Sequence, residues 1–271
     1  MYRYRRSGKR LRDQSINRLI PNILTVLALC AGLTSIRFAL DTRWEMAVFA
    51  IVIAGVLDGL DGRIARLLDS TSKFGAELDS LSDFVSFGVA PAILLYYWTL
   101  NTAGGLGWVI ALLLGVCCAL RLARFNTRID NADLPAWTSR FFVGVPAPAG
   151  AGLSLMPVFA TLLFGSGFFD TPVFAGATTV AVALLMVSRL PTYSMKRVRV
   201  PHHLVVPTLI GVGFMAALLV SMPWLTLITV GLAYVASIPF SVFAYRRLAR
   251  LRGSEAASEG AVSEPGDTPA I

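Results

Sequence analysis

The sequence predicts an all-α fold: a polytopic membrane bundle of about eight transmembrane helices with both termini cytoplasmic. Three observations lead there. Only 15% of the 271 residues are charged while 55% are hydrophobic, whereas charged side chains make up about a quarter of an ordinary soluble chain. Apolar runs recur near the roughly 20 residues that a helix needs to cross hydrocarbon. Basic residues gather in groups separated by loops that hold none, as expected when lysine and arginine stay on the cytoplasmic side.

Taken in order, the apolar windows fall at 19–40, 44–67, 76–100, 106–125, 147–166, 171–189, 204–222 and 224–246. None alternates with period two, so the backbone groups must be satisfied within helices rather than in a barrel. All 24 lysines and arginines except Arg37 and Arg43 lie before residue 19, between Arg63 and Lys73, between Arg121 and Arg140, between Arg189 and Arg199, or between Arg246 and Arg252. The loops near 101–105, 167–170 and 223 have none. That asymmetry puts the termini, and the loops between, on the inner face of the cell membrane. It also accounts for the net charge of +8 without nucleic acid, for which no docking module is present.

Three segments divide the chain. Residues 1–18 form a basic juxtamembrane tail, read as retained because no small-residue cleavage site follows it. Residues 19–250 are the membrane domain, and residues 251–271, small, polar and acidic, are expected to be disordered. Cys30, Cys117 and Cys118 sit in apolar segments and imply no disulfide framework. His202 and His203 have no thiolate or acidic neighbours and read as a solvated pair rather than a zinc site.

Chemistry concentrates in residues 58–83, DGLDGRIARLLDSTSKFGAELDSLSD, which hold six of the 16 acidic residues. Asp58 and Asp61 are spaced i,i+3, and Asp79 and Asp83 i,i+4, so each pair shares one helix face. Four carboxylates at a membrane boundary are costly and mutually repulsive. Hard oxygen ligands without histidine or thiolate suit Mg2+ or Mn2+, with Ca2+ admitted by the same donors, and two divalent ions balance four carboxylates. Two such ions can clamp the attacking and leaving oxygens of phosphoryl transfer. Gly59, Gly62 and Gly75 clear side chains from the site, and Arg66 offers a fork to a phosphate oxygen. Asp69 and Glu77 break the face pattern and read as solvent residues.

Written as a pattern, Asp58, Asp61, Gly62, Ala65 and Arg66, then Gly75, Asp79 and Asp83, give D-x-x-D-G-x-x-A-R, eight residues, and G-x-x-x-D-x-x-x-D. This resembles the signature of the CDP-alcohol phosphatidyltransferase family at every motif position. The resemblance implies that Asp58, Asp61 and Asp79 hold one ion and that Asp58, Asp79 and Asp83 hold a second. Asp83 would also take the proton from the acceptor hydroxyl. Gly62, Arg66 and Ser72 would contact the phosphates of CDP-diacylglycerol, and the P-N-x-x-T turn adds Asn22 and Thr25 near the cytidine. A homodimer is implied as well.

Flanking stretches resemble the branch of that family that uses L-serine: FGAELDSLSDFVSFGVAPA from Phe74, LRLARFN from Leu120, GVPAPAGA from Gly144 and SRLPTYSMK from Ser188. The reaction expected is transfer of the phosphatidyl group to serine, forming phosphatidylserine and releasing CMP, at a site open to the cytoplasm. A zwitterionic acceptor needs a cation for its carboxylate. Arg121 and Arg124, one face of a helix at i,i+3, and Asn126 are the acceptor-binding candidates, followed by Arg189 and Lys196. Pro146, Pro148, Pro191 and Pro201 read as helix breaks shaping the mouth. Two alternatives stand beside this: the same chemistry with glycerol-3-phosphate, inositol or inositol phosphate, and a cation transporter with aspartates along its path. Against transport, residues 134–254 contain Asp170 as their one acidic residue, so no second half mirrors the first.

Overall fold

A computed structural model describes residues 8–70, 72–129, 141–188, 190–193 and 205–262. Arg140, Arg189, Lys196, Pro201, His202 and His203 lie outside the described residues. The chain folds as a bundle of ten α-helices among these residues, with one small ribbon of strand.

Helices α1 (Gly8–Leu40) and α2 (Trp44–Leu67) form an antiparallel hairpin closed by a tight turn, in which Arg43 N–H donates to the Phe38 carbonyl at 2.8 Å. Ser35 Oγ reinforces it by donating to the Ala47 carbonyl at 2.8 Å. At its other end α2 stops at Leu68 and Asp69, whose φ of 47° turns the chain. Ser72 then caps α3 (Lys73–Asp83), its hydroxyl accepting from Gly75 N–H at 3.0 Å. The cap satisfies one of the amides that a helix start leaves open.

Beyond Asp83 the helix continues without interruption through a π-helical stretch, Phe84–Val89, into α4 (Ala90–Trp98). Such widened turns are frequent at functional sites. This rod lies against α1 at Gly32, where an added Cβ would come within 2.9 Å of the Ser86 Cα. Only glycine permits that approach. A 3-10 turn (Leu100–Ala103) leads to α5 (Gly105–Ile129), whose main partner is α8 (Pro172–Val187). Helices α6 (Ala147–Ser154) and α7 (Met156–Phe164) are two halves bent by 40°. Finally α9 (Val205–Ser221) packs against α10 (Pro223–Val262), which also lies along α7. The core gathers around Phe87, Leu94, Leu95, Leu114, Leu155 and Met186, all fully buried.

Four helical stretches are long and apolar enough to cross a membrane: Leu19–Leu40, Lys73–Trp98, Gly105–Thr127 and Pro223–Ser241. The bent α6–α7 pair makes a fifth if it is one span. Helix α2 is long enough, at about 1.5 Å per residue, but its second half carries Asp58, Asp61, Arg63 and Arg66. Helices α8 and α9 are apolar but shorter.

The structure departs from the sequence expectations in three places. Phe141–Val143 (β1) and Pro191–Tyr193 (β2) pair antiparallel, a ribbon that an all-α reading omits. The contact between α6 and α8 draws the two loops together, and their backbone groups pair with each other. Gly144 follows the ribbon at φ 80°, where a Cβ would meet the Met186 carbonyl oxygen at 2.5 Å. Helix α10 runs to Val262, into the segment expected to be disordered, where alanine, glutamate, leucine and arginine, all good helix formers, outnumber Gly253 and the two serines of 247–259. Helix α1 begins at Gly8, so the latter part of the basic tail is helical.

Candidate metal centre and active site

The hairpin turn between α2 and α3 brings the two aspartate pairs face to face. Asp58, Asp61 and Asp79 each present an oxygen within 4.8 Å of the others. Asp61 is buried, while Asp58 and Asp79 are half-buried. The Asp58 side chain is at hydrogen-bonding range of both Asp79 and Asp83, so Asp58 is the hinge between the two pairs. Asp83 lies one turn deeper, with Oδ1 buried and without a hydrogen-bond partner.

A divalent cation fits this set. Oxygens on one Mg2+ stand about 2.9 Å apart in cis and about 4.1 Å in trans, given bonds near 2.05 Å, so small side-chain rotations close the cluster on an ion. The donors are hard oxygens throughout. The orphaned Oδ1 of Asp83, beside Asp58, is the kind of atom that an ion or a substrate proton would satisfy. The described residues therefore hold an aspartate cluster able to take a divalent cation.

Helix α1 supplies the third wall. Thr25, buried, donates its hydroxyl to Asp61 Oδ2 at 2.5 Å, and the Ser82 hydroxyl donates to the Thr25 carbonyl at 3.2 Å. Asn22, one turn earlier, reaches the start of α3: a Cβ on Gly75 would lie 3.0 Å from Asn22 Oδ1 and 3.1 Å from Ser72 Oγ. Gly75 thus allows α1 to close over the α3 cap. Gly59 and Gly62 differ, since a Cβ at either would meet nothing within 4 Å. They face open space rather than a neighbouring helix. Arg66, exposed, donates from Nε to the Gly62 carbonyl at 2.8 Å, which lays its guanidinium along that open edge. Asp69 and Glu77 are exposed, away from the cluster.

The three acceptor-binding candidates of α5 separate. Arg121 turns inward, within electrostatic reach of Asp83 and Asp58, with its guanidinium 5.9 Å from the Phe125 ring centroid. Arg124 instead donates from Nη1 to the Val187 carbonyl at 2.7 Å, satisfying the C-terminal end of α8. The Asn126 amide donates to Ser80 Oγ at 3.0 Å, tying α5 to α3 beside Asp79. Sequence reasoning missed Tyr234 of α10, whose buried hydroxyl belongs to the electrostatic surroundings of Arg121. No spacing rule links it to a motif so far away in the chain. The Ser80 and Ser82 roles were missed for the same reason.

The sequence resembles those of known proteins. The family profile described as CDP-alcohol phosphatidyltransferase matches residues 18–188, and that of CDP-alcohol phosphatidyltransferase 2 matches residues 203–239. A Mycobacterium leprae (strain TN) relative is 44% identical over 231 residues, 85% of this chain and 77% of its own. One from Mycobacterium tuberculosis (strain ATCC 25618 / H37Rv) is 41% identical over 244 residues, 90% of this chain and 85% of its own. A Helicobacter pylori (strain ATCC 700392 / 26695) relative is 35% identical over 181 residues, 67% and 74% respectively. All three are named CDP-diacylglycerol--serine O-phosphatidyltransferase. With the converging aspartates of α2 and α3 inside the matched region, the chain belongs to the CDP-alcohol phosphatidyltransferase family.

Proposed function

We propose that this chain transfers the phosphatidyl group from CDP-diacylglycerol to the hydroxyl of L-serine, giving phosphatidylserine and CMP. The observation that carries the reaction type is the convergence of Asp58, Asp61 and Asp79, with Asp83 behind them, at one end of the bundle. Serine as acceptor draws its support from relatives of that name, 41–44% identical over 85–90% of the chain.

Asp58, Asp61 and Asp79 would hold one divalent ion, Mg2+ or Mn2+, and Asp58, Asp79 and Asp83 would hold a second. When bound, such ions offset negative charge developing on the phosphate and on departing CMP. The open side of Gly62, with Arg66 along its edge and Ser72 and Asn22 at the α3 cap, receives the CDP phosphates and cytidine. Arg121 receives the serine carboxylate, beside the carboxylate that needs the serine proton. Asp83 accepts that proton from the hydroxyl. The serine oxygen then bonds to the phosphorus nearest the lipid, and the bond from that phosphorus to the CMP oxygen breaks. Buried surroundings of Asp83, with Cys118 of α5 beside it, restrict water that would otherwise compete with serine.

In the same reading the chain crosses the cell membrane eight times with both termini and the site on the cytoplasmic side, and pairs as a homodimer. Purified protein given CDP-diacylglycerol with Mn2+ or Mg2+ tests the reaction. CMP release should depend on L-serine and yield phosphatidylserine. Stimulation by glycerol-3-phosphate or inositol instead would reassign the acceptor, and no release with any acceptor would refute the activity.

A further inference from the structure

Thr25 occupies an unusual position for a residue expected near a nucleotide. It is 4% exposed, and its one hydroxyl proton is shared between the Pro21 carbonyl at 3.1 Å and Asp61 Oδ2 at 2.5 Å. The shorter contact is to a carboxylate, the stronger acceptor. Its backbone carbonyl meanwhile accepts from Ser82, itself buried and next to Asp83 in sequence. One turn further along α1, the Ala28 carbonyl accepts from Ser86 at 3.3 Å. The α3 rod is therefore fastened to α1 on both sides of Asp83, and Thr25 touches both halves of the aspartate motif.

We propose that Thr25 is a positioning residue for Asp61: its hydroxyl fixes the plane of that carboxylate for the divalent cation, and so sets metal affinity rather than nucleotide affinity. This rests on the cation-binding reading of the aspartate cluster. Physically, a ligating carboxylate free to rotate must lose that freedom on binding, whereas one already held by a hydrogen bond does not. Groups that orient metal ligands in this way typically contribute 10- to 100-fold in affinity. A cytidine contact would need the hydroxyl to face the open edge of the site, where Asn22 and Gly62 lie, and Thr25 instead points into the α1–α2 seam.

The test is Mn2+ binding by the full chain in detergent, stripped with chelator and followed by electron paramagnetic resonance, with CMP titration at saturating Mn2+ alongside. Thr25→Val keeps the shape and removes the hydroxyl, and should weaken Mn2+ by about 10- to 100-fold while CMP affinity stays near wild type. Thr25→Ser restores the donor and should bring Mn2+ affinity back. Should the valine variant not yield folded protein, Thr25→Ala carries the same expectation. Wild-type Mn2+ affinity in the hydroxyl-free variant overturns the proposal, as does equal weakening by serine and valine, or a loss confined to CMP. Absence of Mn2+ binding by the wild type is a different failure, since it removes the cation reading itself.

Discussion

Asp58→Asn tests the electrostatic centre of the site. Asp58 is near all the other carboxylates, with Asp61 and Asp79 oxygens within 4.8 Å and Asp83 at hydrogen-bonding range. At 4.8 Å and an effective dielectric near 20, two ionised carboxylates repel by about 3.5 kcal/mol. The amide has nearly the same shape and no charge. Without metal, then, the variant should unfold at a temperature equal to or above that of wild type, because it relieves repulsion and opens no cavity. With metal the order should reverse. An ion stabilises the wild type by mass action, and the variant lacks one of the two ligands, Asp58 and Asp79, that both proposed ion sets share. Turnover should fall by at least about 1,000-fold, which is roughly 4 kcal/mol of transition-state stabilisation. The assay is thermal unfolding in detergent with chelator and then with millimolar Mn2+, paired with CMP release. A metal-induced shift in Asp58→Asn equal to that of wild type would refute the shared-ligand reasoning, whatever the activity.

Other perturbations separate catalysis from structure. Asp83→Asn should lower turnover by about 100- to 10,000-fold, the usual range for a lost general base, with the thermal midpoint unchanged or raised; near-normal CMP release would remove Asp83 as the base. Arg121→Met should raise the KM for serine far more than Arg124→Met. The latter should instead cost about 1.5–3 kcal/mol of stability through its lost bond to the Val187 carbonyl, and a larger serine KM effect from Arg124 would reverse the assignment. Gly32→Val should destabilise the fold by about 1–3 kcal/mol through overpacking against Ser86, seen as a lower unfolding midpoint. A neutral result there would mean that α1 and the π-helical rod can part at no cost.

Much of the site was legible because its carriers are local. Asp58 with Asp61, and Asp79 with Asp83, are joined by helical periodicity, and the eight residues between the half-motifs leave room for a turn that lets the pairs converge. The acceptor pocket was not legible in the same way. Arg121 and Arg124 share a face by the i,i+3 rule, yet one turns to Asp83 and the other to the end of α8. A guanidinium at the end of a long flexible stem finds its partner among whatever elements pack nearby, and spacing along α5 says nothing about where α8 ends. Helices long and apolar enough to cross a membrane were legible where hydropathy runs unbroken, as in Leu19–Leu40 and Gly105–Thr127. The sequence reading also gives α2 a span at 44–67, but the charged residues of its second half leave it outside the candidate spans of the structure.

By itself, the sequence determined that the chain is rich in apolar helices, where its basic residues lie, and that Asp58 with Asp61, and Asp79 with Asp83, share helix faces. Each of these follows from short-range periodicity or from composition summed over a window, and neither needs distant contacts. Tertiary structure alone decided that Thr25 holds Asp61 across α1 and α2, that Ser82 is tied to the Thr25 carbonyl, and that Tyr234 joins the surroundings of Arg121. It also decided that a π-helical turn follows Asp83 and that two loops pair as a ribbon. These depend on which helices meet and at what height. Packing fixes that through close approaches such as Gly32 against Ser86, between residues far apart in the chain.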